Sequence, residues 1–294
     1  MTPLRTRMIN DMKLRNLSEN TMDAYLRVVR QLAEFYNKSP DRLNKQQIKN
    51  YLVHLREEKR VANATYIQQL CALRFFYRNT LQRSSLIDSI LFPKEEEKLP
   101  VVLSMKEVQQ LFDALGSLKY RAILMTAYAG GLRVSEVIAL RVTDIDSDRM
   151  LIRVNQGKGK KDRYVPLAQR ALEVLREYWK AARPKDFLFP SRGKSGHVSR
   201  TLVWQACKRA THKAGIKKNI SPHTLRHSFA THAHENGTGI RILQMLLGHR
   251  SLRTTGMYTK VSQAAIRSTP SPLDLMDKGK NGKAKHRKGG KKKA

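Results

Sequence analysis

The 294-residue sequence predicts two mainly helical domains, the second of which carries a small antiparallel β-sheet. Apolar residues recur every three to four positions over most of the chain, as in amphipathic helices. Two short segments with alternating apolar residues flank a glycine-containing turn, which indicates a β-hairpin. A charged run bracketed by Pro93 and Pro100 indicates a linker. We therefore expect a domain over residues 1–92, a linker over 93–100, a second domain over 101–277 and a disordered basic tail over 278–294.

The N-terminal domain is predicted to be a small helical bundle. Its first helix opens near Ser18 and continues through Met22, Leu26 and Val29 until Pro40 interrupts the pattern. Two further helices are expected over 46–59 and 63–79, each with apolar residues on one face. Basic residues line another side of this bundle, and they include Arg74 and Arg78 on the last helix.

The C-terminal domain is predicted to begin at a clear helix start. Ser104 and Glu107 form a capping-box pattern, and a buried helix is expected next over 119–129. The predicted strands cover 151–154 and 163–166, on either side of a turn that contains Gly157 and Gly159. Further helices are expected over 168–182, 199–214, 224–235 and 240–247. The second of these carries the basic residues Arg200, Lys208 and Arg209.

The charge of the chain indicates a polyanionic partner. It holds 57 Lys and Arg against 24 Asp and Glu, a formal net charge of +33, and the excess is spread over both domains as well as the tail. Nucleic acid is the first candidate, and a highly charged soluble or ribosome-associated protein is the alternative. If the partner is DNA, the candidate DNA contacts are Arg74, Arg78, Arg200, Lys208 and Arg209. Only Cys71 and Cys207 are present, which excludes a disulfide framework, and no apolar stretch is long enough to span a bilayer. We therefore expect a cytoplasmic, nucleoid-associated protein without a membrane partner.

Candidate reactive residues follow one another along the C-terminal domain. Gly130 and Gly131 precede Arg133, Lys158 lies in the hairpin turn, and Pro222 precedes a His-x-x-Arg motif. A Leu-Gly-His motif and a tyrosine follow. Each feature taken alone is weak evidence, because each of these side chains also has an ordinary structural use. The candidate residues are Arg133, Lys158, His223, Arg226, His249 and Tyr258, with Glu136 in support.

Taken together and in this order, these residues resemble the tyrosine recombinase, or phage integrase, family, with Xer-like and integron-like members the most similar. The N-terminal bundle resembles the family's SAM-like core-binding domain. The resemblance covers roughly residues 5–265, and it implies a site-specific enzyme that cleaves and rejoins duplex DNA through a 3′-phosphotyrosyl intermediate. It also implies a homotetramer acting on two DNA sites, and no metal or other cofactor.

The resemblance further implies a role for each residue. Arg133 and Arg226 would hold the phosphate, since guanidinium groups bind phosphate oxygens bidentately. Tyr258 would be the nucleophile, His223 would accept its proton and Lys158 would protonate the leaving oxygen. His249 would donate a hydrogen bond to a phosphate oxygen, and Glu136 would support Arg133.

Two alternative functions use the same fold. A type IB topoisomerase-like enzyme would form the same tyrosyl ester without pairing two sites. A non-catalytic DNA-binding protein would need none of the candidate reactive residues in this arrangement. The sequence does not identify the target site, the biological outcome of recombination or any partner recombinase.

Overall fold

A computed structural model describes residues 2–93, 99–155, 162–191, 195–249 and 251–261. Lys158 and the tail over 278–294 lie outside the described residues, as does most of the predicted linker. The chain forms two units, Met1–Glu97 and Lys98–Ala294, and each has its own hydrophobic core. Within the described ranges, no helix combines the length and apolar character that a membrane span requires.

The N-terminal unit is a helical bundle. It comprises α1 (Pro3–Leu14), α2 (Glu19–Tyr36), α3 (Lys45–Glu57) and α4 (Asn63–Phe75), and α4 continues as a π-helical segment over Phe76–Thr80. Short 3₁₀ turns cover Pro40–Arg42 and Ser84–Leu86. The bundle confirms the three predicted helices to within a few residues.

Helix α1 was not predicted. Only Met8 and Met12 are fully buried along it, so its apolar pattern is too sparse to stand out among polar residues. Its start nevertheless carries an ordinary signal, because the Thr2 side chain accepts a hydrogen bond from the Arg5 N–H and Pro3 occupies the first turn.

The core of the bundle forms where α1, α2, α3 and α4 meet the π-helical segment. Leu32, Ile48 and Leu70 are fully buried there. Tyr77 is also buried, and its hydroxyl donates a 2.8 Å hydrogen bond to the carbonyl of Pro40. This bond satisfies the one polar atom of a side chain that otherwise contributes apolar burial.

The C-terminal unit is mainly helical, with one small sheet. Its helices are α5 (Met105–Asp113), α6 (Leu118–Ala129), α7 (Val134–Ile138), α8 (Gln169–Ala182), α9 (Arg200–Lys213), α10 (Pro222–Glu235), α11 (Ile240–Leu247) and α12 (Leu252–Val261). The strands are β1 (Ile145–Asp146), β2 (Leu151–Val154) and β3 (Arg163–Pro166), paired antiparallel in that order. The predicted hairpin is thus confirmed, with Ile152 opposite Val165, and β1 is an additional two-residue strand.

The helix starts follow the predicted capping chemistry. Ser104 accepts a hydrogen bond from the Glu107 N–H at 3.2 Å, and the Glu107 carboxylate accepts from the Ser104 N–H at 2.7 Å. Helix α10 begins at Pro222 rather than at the expected Thr224, because a proline fits the first helical turn. Helix α6 is buried, as predicted, and contacts α8, α9 and α10.

Helix α12 was not predicted, and it completes the site described below. It packs against α10 and α11 and buries Thr255 and Tyr258. The sequence Thr254-Thr255-Gly256 has low helix propensity, so tertiary packing rather than local preference favours the helix here.

Candidate active site

The candidate site includes two helix ends, each closed by a glycine in the left-handed backbone conformation. Helix α6 ends at Gly130 and Gly131, where Gly131 has φ +59° and the Leu132 N–H returns to the carbonyl of Ala127. Helix α11 ends in the same way at Gly248, with φ +60°. Because glycine adopts this conformation without steric penalty, each helix stops sharply. Arg133 follows the first end and His249 follows the second.

Arg226 joins these two helix ends from α10. Its guanidinium donates to the Gly131 carbonyl at 2.7 Å and to the carbonyl of Leu247. The side chain is 1% exposed, and its Nε has no hydrogen-bond partner among the described residues. Burial and the nearby Arg133 lower the pKa of Arg226 to about 10, so it remains a cation at neutral pH.

The negative charge of the Glu136 carboxylate offsets the positive charge of the nearby arginines. It accepts from Arg133 Nη1 at 2.7 Å and from the Arg133 backbone N–H at 2.8 Å. Arg163, on β3, donates to both of its oxygens, at 3.1 Å and 2.8 Å, and Arg226 Nη1 lies 3.7 Å away. Burial alone would raise the pKa of Glu136, but the hydrogen bonds from Arg163 and Arg133 outweigh it and hold the pKa below its usual value. Glu136 is therefore an anion that fixes the guanidinium groups in place.

The hydroxyl of Tyr258 lies next to this cluster. The side chain is 2% exposed, and its hydroxyl is 3.1 Å from Nδ1 of His227. The ring of His249 is roughly parallel to the tyrosine ring at 6.3 Å, and His249 Nδ1 is 3.0 Å from the Thr255 hydroxyl. His223 is exposed, and its ring contacts that of His227 at a centroid distance of 4.4 Å.

Burial and positive charge keep the histidines neutral. The pKa of His227 is lowered to about 4 by burial, then by His223 and Arg226. The pKa of His249 is also lowered to about 4, by burial and then by Arg226 and Arg133. Burial raises the pKa of Tyr258 above its usual value of 10.0, and the same two arginines partly offset this rise. Without DNA, the site therefore holds a protonated tyrosine beside neutral imidazoles.

The structure brings together every predicted site residue that it describes. Lys158 is outside the described residues. The contact at the tyrosine hydroxyl differs from the expectation, since His227 and not His223 is its hydrogen-bond partner. The residues that meet at the site are Arg133, Glu136, His223, Arg226, His249 and Tyr258.

Two further residues of the site, His227 and Arg163, were missed in the sequence, although each carried a signal. His227 is four positions after His223, so a helix places both on one face. Arg163 is two positions before the buried Val165, so a strand turns both toward the core. A charged residue on the inner face of a strand needs a buried partner, which is Glu136 here.

The candidate DNA contacts differ in how free they are to bind. Arg74 is half-buried. Its guanidinium donates a hydrogen bond to the carbonyl of Ile90 and lies 4.2 Å from the centre of the Phe92 ring. These contacts hold its guanidinium within the N-terminal unit, and its assignment as a DNA contact stays a prediction. Arg78 is exposed and paired with Asp88 at 2.5 Å.

The candidate DNA contacts on α9 are at least partly exposed to solvent. Arg200 and Arg209 are exposed, and Lys208 bonds to Asn219 and lies 5.4 Å from the ring centre of Trp204. Trp204 is itself 48% exposed. Cations beside an exposed aromatic ring are typical of surfaces that bind nucleic acid.

Sequence comparisons match both units of the chain to one family. Residues 101–265 match the phage integrase family, and residues 4–86 match the phage integrase N-terminal SAM-like domain. A putative integrase/recombinase y4qK of Sinorhizobium fredii is 46% identical over 278 residues, covering 94% of this chain and 90% of the relative. The tyrosine recombinase XerD of Halalkalibacterium halodurans is 34% identical over 275 residues, covering 86% and 91%.

Solved structures share the fold. The XerH site-specific recombinase bound to a palindromic difH substrate gives a TM-score of 0.68 at 21% identity, over 87% of this chain and 81% of that chain. A lambda integrase dimer bound to a COC′ core site gives a TM-score of 0.69 at 17% identity, over 89% and 95%.

The fold and the site thus define a DNA breaking-rejoining enzyme that works through a tyrosine. The chain belongs to the phage integrase family, whose members are the tyrosine recombinases. Its main activity is accordingly site-specific DNA recombination, which is the principal prediction made from its sequence.

Proposed function

We propose that Tyr258 is the nucleophile that cleaves DNA and forms a 3′-phosphotyrosyl intermediate. The observation that carries this proposal is the position of the buried Tyr258 side chain. Its hydroxyl lies 3.1 Å from Nδ1 of His227, and the positive charge of Arg226 acts on it to lower its pKa. A tyrosine with a raised pKa is a poor nucleophile until a base accepts its proton and cations stabilise the charge that develops.

The remaining residues take complementary roles in this proposal. Arg133 and Arg226 hold the non-bridging phosphate oxygens, where charge accumulates during attack. His249 donates a hydrogen bond to one of these oxygens. His223 on α10 accepts the proton of Tyr258, and Lys158 protonates the leaving 5′ oxygen. Glu136 keeps the arginines oriented, so that little reorganisation accompanies the reaction.

We also propose an assembly and a domain layout. Residues 1–92 form the core-binding domain, 93–100 the linker, 101–277 the catalytic domain and 278–294 a basic tail that tracks phosphates. Four copies act on two DNA sites, each with duplex DNA as its partner, in association with the nucleoid. The net charge of +33 and the exposed Arg200 and Arg209 support a surface that binds duplex DNA.

Trapping on a suicide duplex tests the nucleophile. DNA flanking the gene supplies the candidate site, and the readout is a protein–DNA adduct that survives denaturation. The wild type should give an adduct and Tyr258→Phe should give none. Tyr164→Phe, a change at a tyrosine 56% exposed on β3, is the matched control and should retain the adduct. An adduct with Tyr258→Phe would identify a different nucleophile.

A second assay separates recombination from topoisomerase-like relaxation. Two copies of the cleaved site are placed on one plasmid, and strand exchange is measured together with loss of supercoils. A recombinase gives exchanged products that depend on both sites. Relaxation without exchange, at a rate independent of the second site, would favour the topoisomerase alternative.

A further inference from the structure

We propose that Arg163 is a positioning residue for DNA cleavage, which holds Arg133 and His249 in one fixed arrangement around the scissile phosphate. It reaches Arg133 through the carboxylate of Glu136, and it reaches His249 through the C-terminal end of α11. The proposal rests on the proposed function, because it takes Arg133 and His249 as groups that bind the phosphate and Tyr258 as the nucleophile. Arg163 lies outside the set of residues predicted from the sequence.

The guanidinium group of Arg163 uses all three of its nitrogen atoms within the protein. Nη1 and Nη2 donate to the two oxygens of the Glu136 carboxylate at 3.1 Å and 2.8 Å, and Nε donates to the carbonyl of Leu246 at 2.7 Å. The side chain is 9% exposed. Arg163 therefore joins two parts of the site instead of presenting its charge to DNA.

The C-terminal end of α11 has four carbonyl groups that lack a partner within the helix. The turn at Gly248 satisfies the first two of them. The Gly248 N–H donates to the carbonyl of Met245 and the His249 N–H donates to that of Gln244, each at 3.1 Å. The backbone turn thus leaves two carbonyls, which are the two nearest to His249 along the helix.

Arginine side chains satisfy these two remaining carbonyls. Arg163 donates to Leu246, and Arg226 donates to Leu247. Arg163 also lies against the turn itself, since a Cβ added to its glycine would be 3.4 Å from Arg163 Nη1. Cations are favourable at a helix C-terminus, because the aligned peptide dipoles end there in a partial negative charge. The position of His249, directly after this turn, therefore depends on Arg163.

The other contact of Arg163 reaches Arg133 through Glu136. The Glu136 carboxylate also accepts from Nη1 and from the backbone N–H of Arg133, at 2.7 Å and 2.8 Å. Burial raises the pKa of Glu136, and among the effects that lower this pKa the hydrogen bonds from Arg163 are the largest. Arg163 is thus the main partner that keeps Glu136 ionised, and the ionised carboxylate orients Arg133.

An arginine suits this set of contacts and a lysine does not. The planar guanidinium presents a rigid fork of donors to a carboxylate while its Nε faces a third acceptor. A lysine carries the same charge on a single nitrogen at the end of a flexible chain. It cannot bond both Glu136 oxygens and the Leu246 carbonyl in the same geometry. Arg163→Lys therefore removes the geometric constraint and leaves the net charge of the site unchanged.

Single-turnover adduct formation on the suicide duplex, at saturating protein, tests the proposal. The rate constant of Arg163→Lys should fall by about 10- to 100-fold, because a small misplacement of catalytic groups has effects of this size. Its affinity for DNA should stay within about twofold of wild type, since the side chain faces the protein interior. A merely structural role would lower the Tm and the final yield of adduct, which reports the folded fraction, and would leave the rate constant unchanged. A rate constant within about threefold of wild type would overturn the proposal.

Arg153→Lys is the matched control. Arg153 lies on β2, its side chain is 51% exposed, and it pairs with Asp144 at 3.5 Å, so it is an exposed arginine of the same small sheet with a partner of its own. It should cleave at the wild-type rate. If Arg163→Lys does not fold, Arg163→Gln takes its place, because an amide can donate to one of the acceptors but cannot reproduce the fork. The same outcomes then support or overturn the proposal.

A double-mutant cycle with His249→Ala tests the link through α11. If Arg163 positions His249, part of its effect disappears once His249 is absent. The loss of rate in the double variant should then be at least about threefold smaller than the product of the two single losses. Arg153→Lys with His249→Ala should lose no more than His249→Ala alone. A double loss equal to the product would mean that the two side chains act independently, which contradicts the proposal.

Failure of this proposal and failure of the proposed nucleophile give different results. If Tyr258→Phe still forms an adduct, the nucleophile is wrong and the proposal falls with it. If Tyr258→Phe is inactive while Arg163→Lys cleaves at the wild-type rate, the nucleophile stands and Arg163 is not a positioning residue.

Discussion

The carboxylate of Glu136 faces the guanidinium groups of Arg133, Arg163 and Arg226 within one small, mostly buried volume. Two of these side chains, Arg163 and Glu136, are only 9% and 7% exposed. Charges taken out of water are tolerated only when they are paired and hydrogen-bonded. The site therefore depends on this one anion both for its stability and for the orientation of Arg133.

Glu136→Gln tests this dependence. Removing the anion leaves buried cations without compensation, and the free energy of unfolding should fall by about 3–5 kcal/mol. The measurement is urea unfolding, accompanied by the cleavage rate of the folded fraction, which should also fall. Glu177→Gln, on the exposed face of α8, is the control and should leave both unchanged. Equal stability of the two variants would show that Glu136 is not the counter-ion of the cluster.

The neutral histidines make the stability of the C-terminal unit sensitive to acid. The pKa of His227 and of His249 lies near 4 in the fold, against 6.5 for an ordinary histidine, so the unfolded chain binds more protons between these values. The stability that comes from keeping these two histidines neutral should be fully present above pH 6.5. It should be lost as the pH drops toward 4. We expect the Tm to fall by several degrees between pH 7 and pH 5, as measured by calorimetry.

A double substitution supplies the control for this acid sensitivity. His227→Asn with His249→Asn removes both titrating groups, and the Tm of this variant should depend less on pH over the same interval. An unchanged slope would place the acid sensitivity elsewhere in the chain.

At the scale of elements, the sequence predicts those helices that carry their own signals. Helix α5 has its capping box and α11 has both an apolar face and the closing Gly248, so each was located within a residue or two. Helices α1 and α12 lack a continuous apolar face, and their contacts with the rest of their own units decide their structure. Local propensity cannot reveal such contacts.

In the candidate site too, some residues could be predicted from the sequence, whereas their contacts depend on tertiary packing. The order of its motifs along the chain was sufficient to select Arg133, Arg226, His249 and Tyr258. Which histidine meets the tyrosine depends on how α10 and α12 pack, and the spacing of residues does not contain that information. The pairing of Glu136 with Arg163 depends likewise on the contact between β3 and the helix ends.

The helix end at Gly131 offers a prediction for a single element. A Cβ at this position would lie 2.4 Å from the Phe229 ring, and φ of +59° is strained for any other residue. Gly131→Ala should therefore lower the free energy of unfolding by about 2–4 kcal/mol and weaken cleavage, because the Gly131 carbonyl orients Arg226. The measurements are urea unfolding and adduct formation.

Gly116→Ala is the matched control, since a Cβ there meets nothing within 4 Å. It should leave stability unchanged or raise it slightly, because alanine restricts the unfolded chain. If the two alanine variants were equally stable, the left-handed turn at Gly131 would not constrain the site.

At the scale of the whole molecule, both units and the tail carry more positive than negative charge, so we expect DNA to attract all three. Residues 1–100 hold 18 basic and 11 acidic groups, residues 101–277 hold 30 and 13, and residues 278–294 hold 9 and none. The last segment has the highest density of positive charge but none of the site residues. It should therefore strengthen binding to any DNA without changing the chemistry at Tyr258.

Truncation after residue 277 tests this division of roles. Each phosphate that the tail neutralises adds about 0.9 to the slope of log affinity against log salt, so full engagement of its 9 charges would add about 8. We expect the truncated protein to bind non-specific duplex more weakly at low salt and with a shallower slope, as measured by fluorescence anisotropy. Its adduct rate at saturating protein should equal that of the full chain. A scrambled tail with the same charges should restore the slope, since the effect depends on charge and not on order. An unchanged slope after truncation would mean that the tail does not contact DNA and that the folded units alone carry the electrostatic attraction.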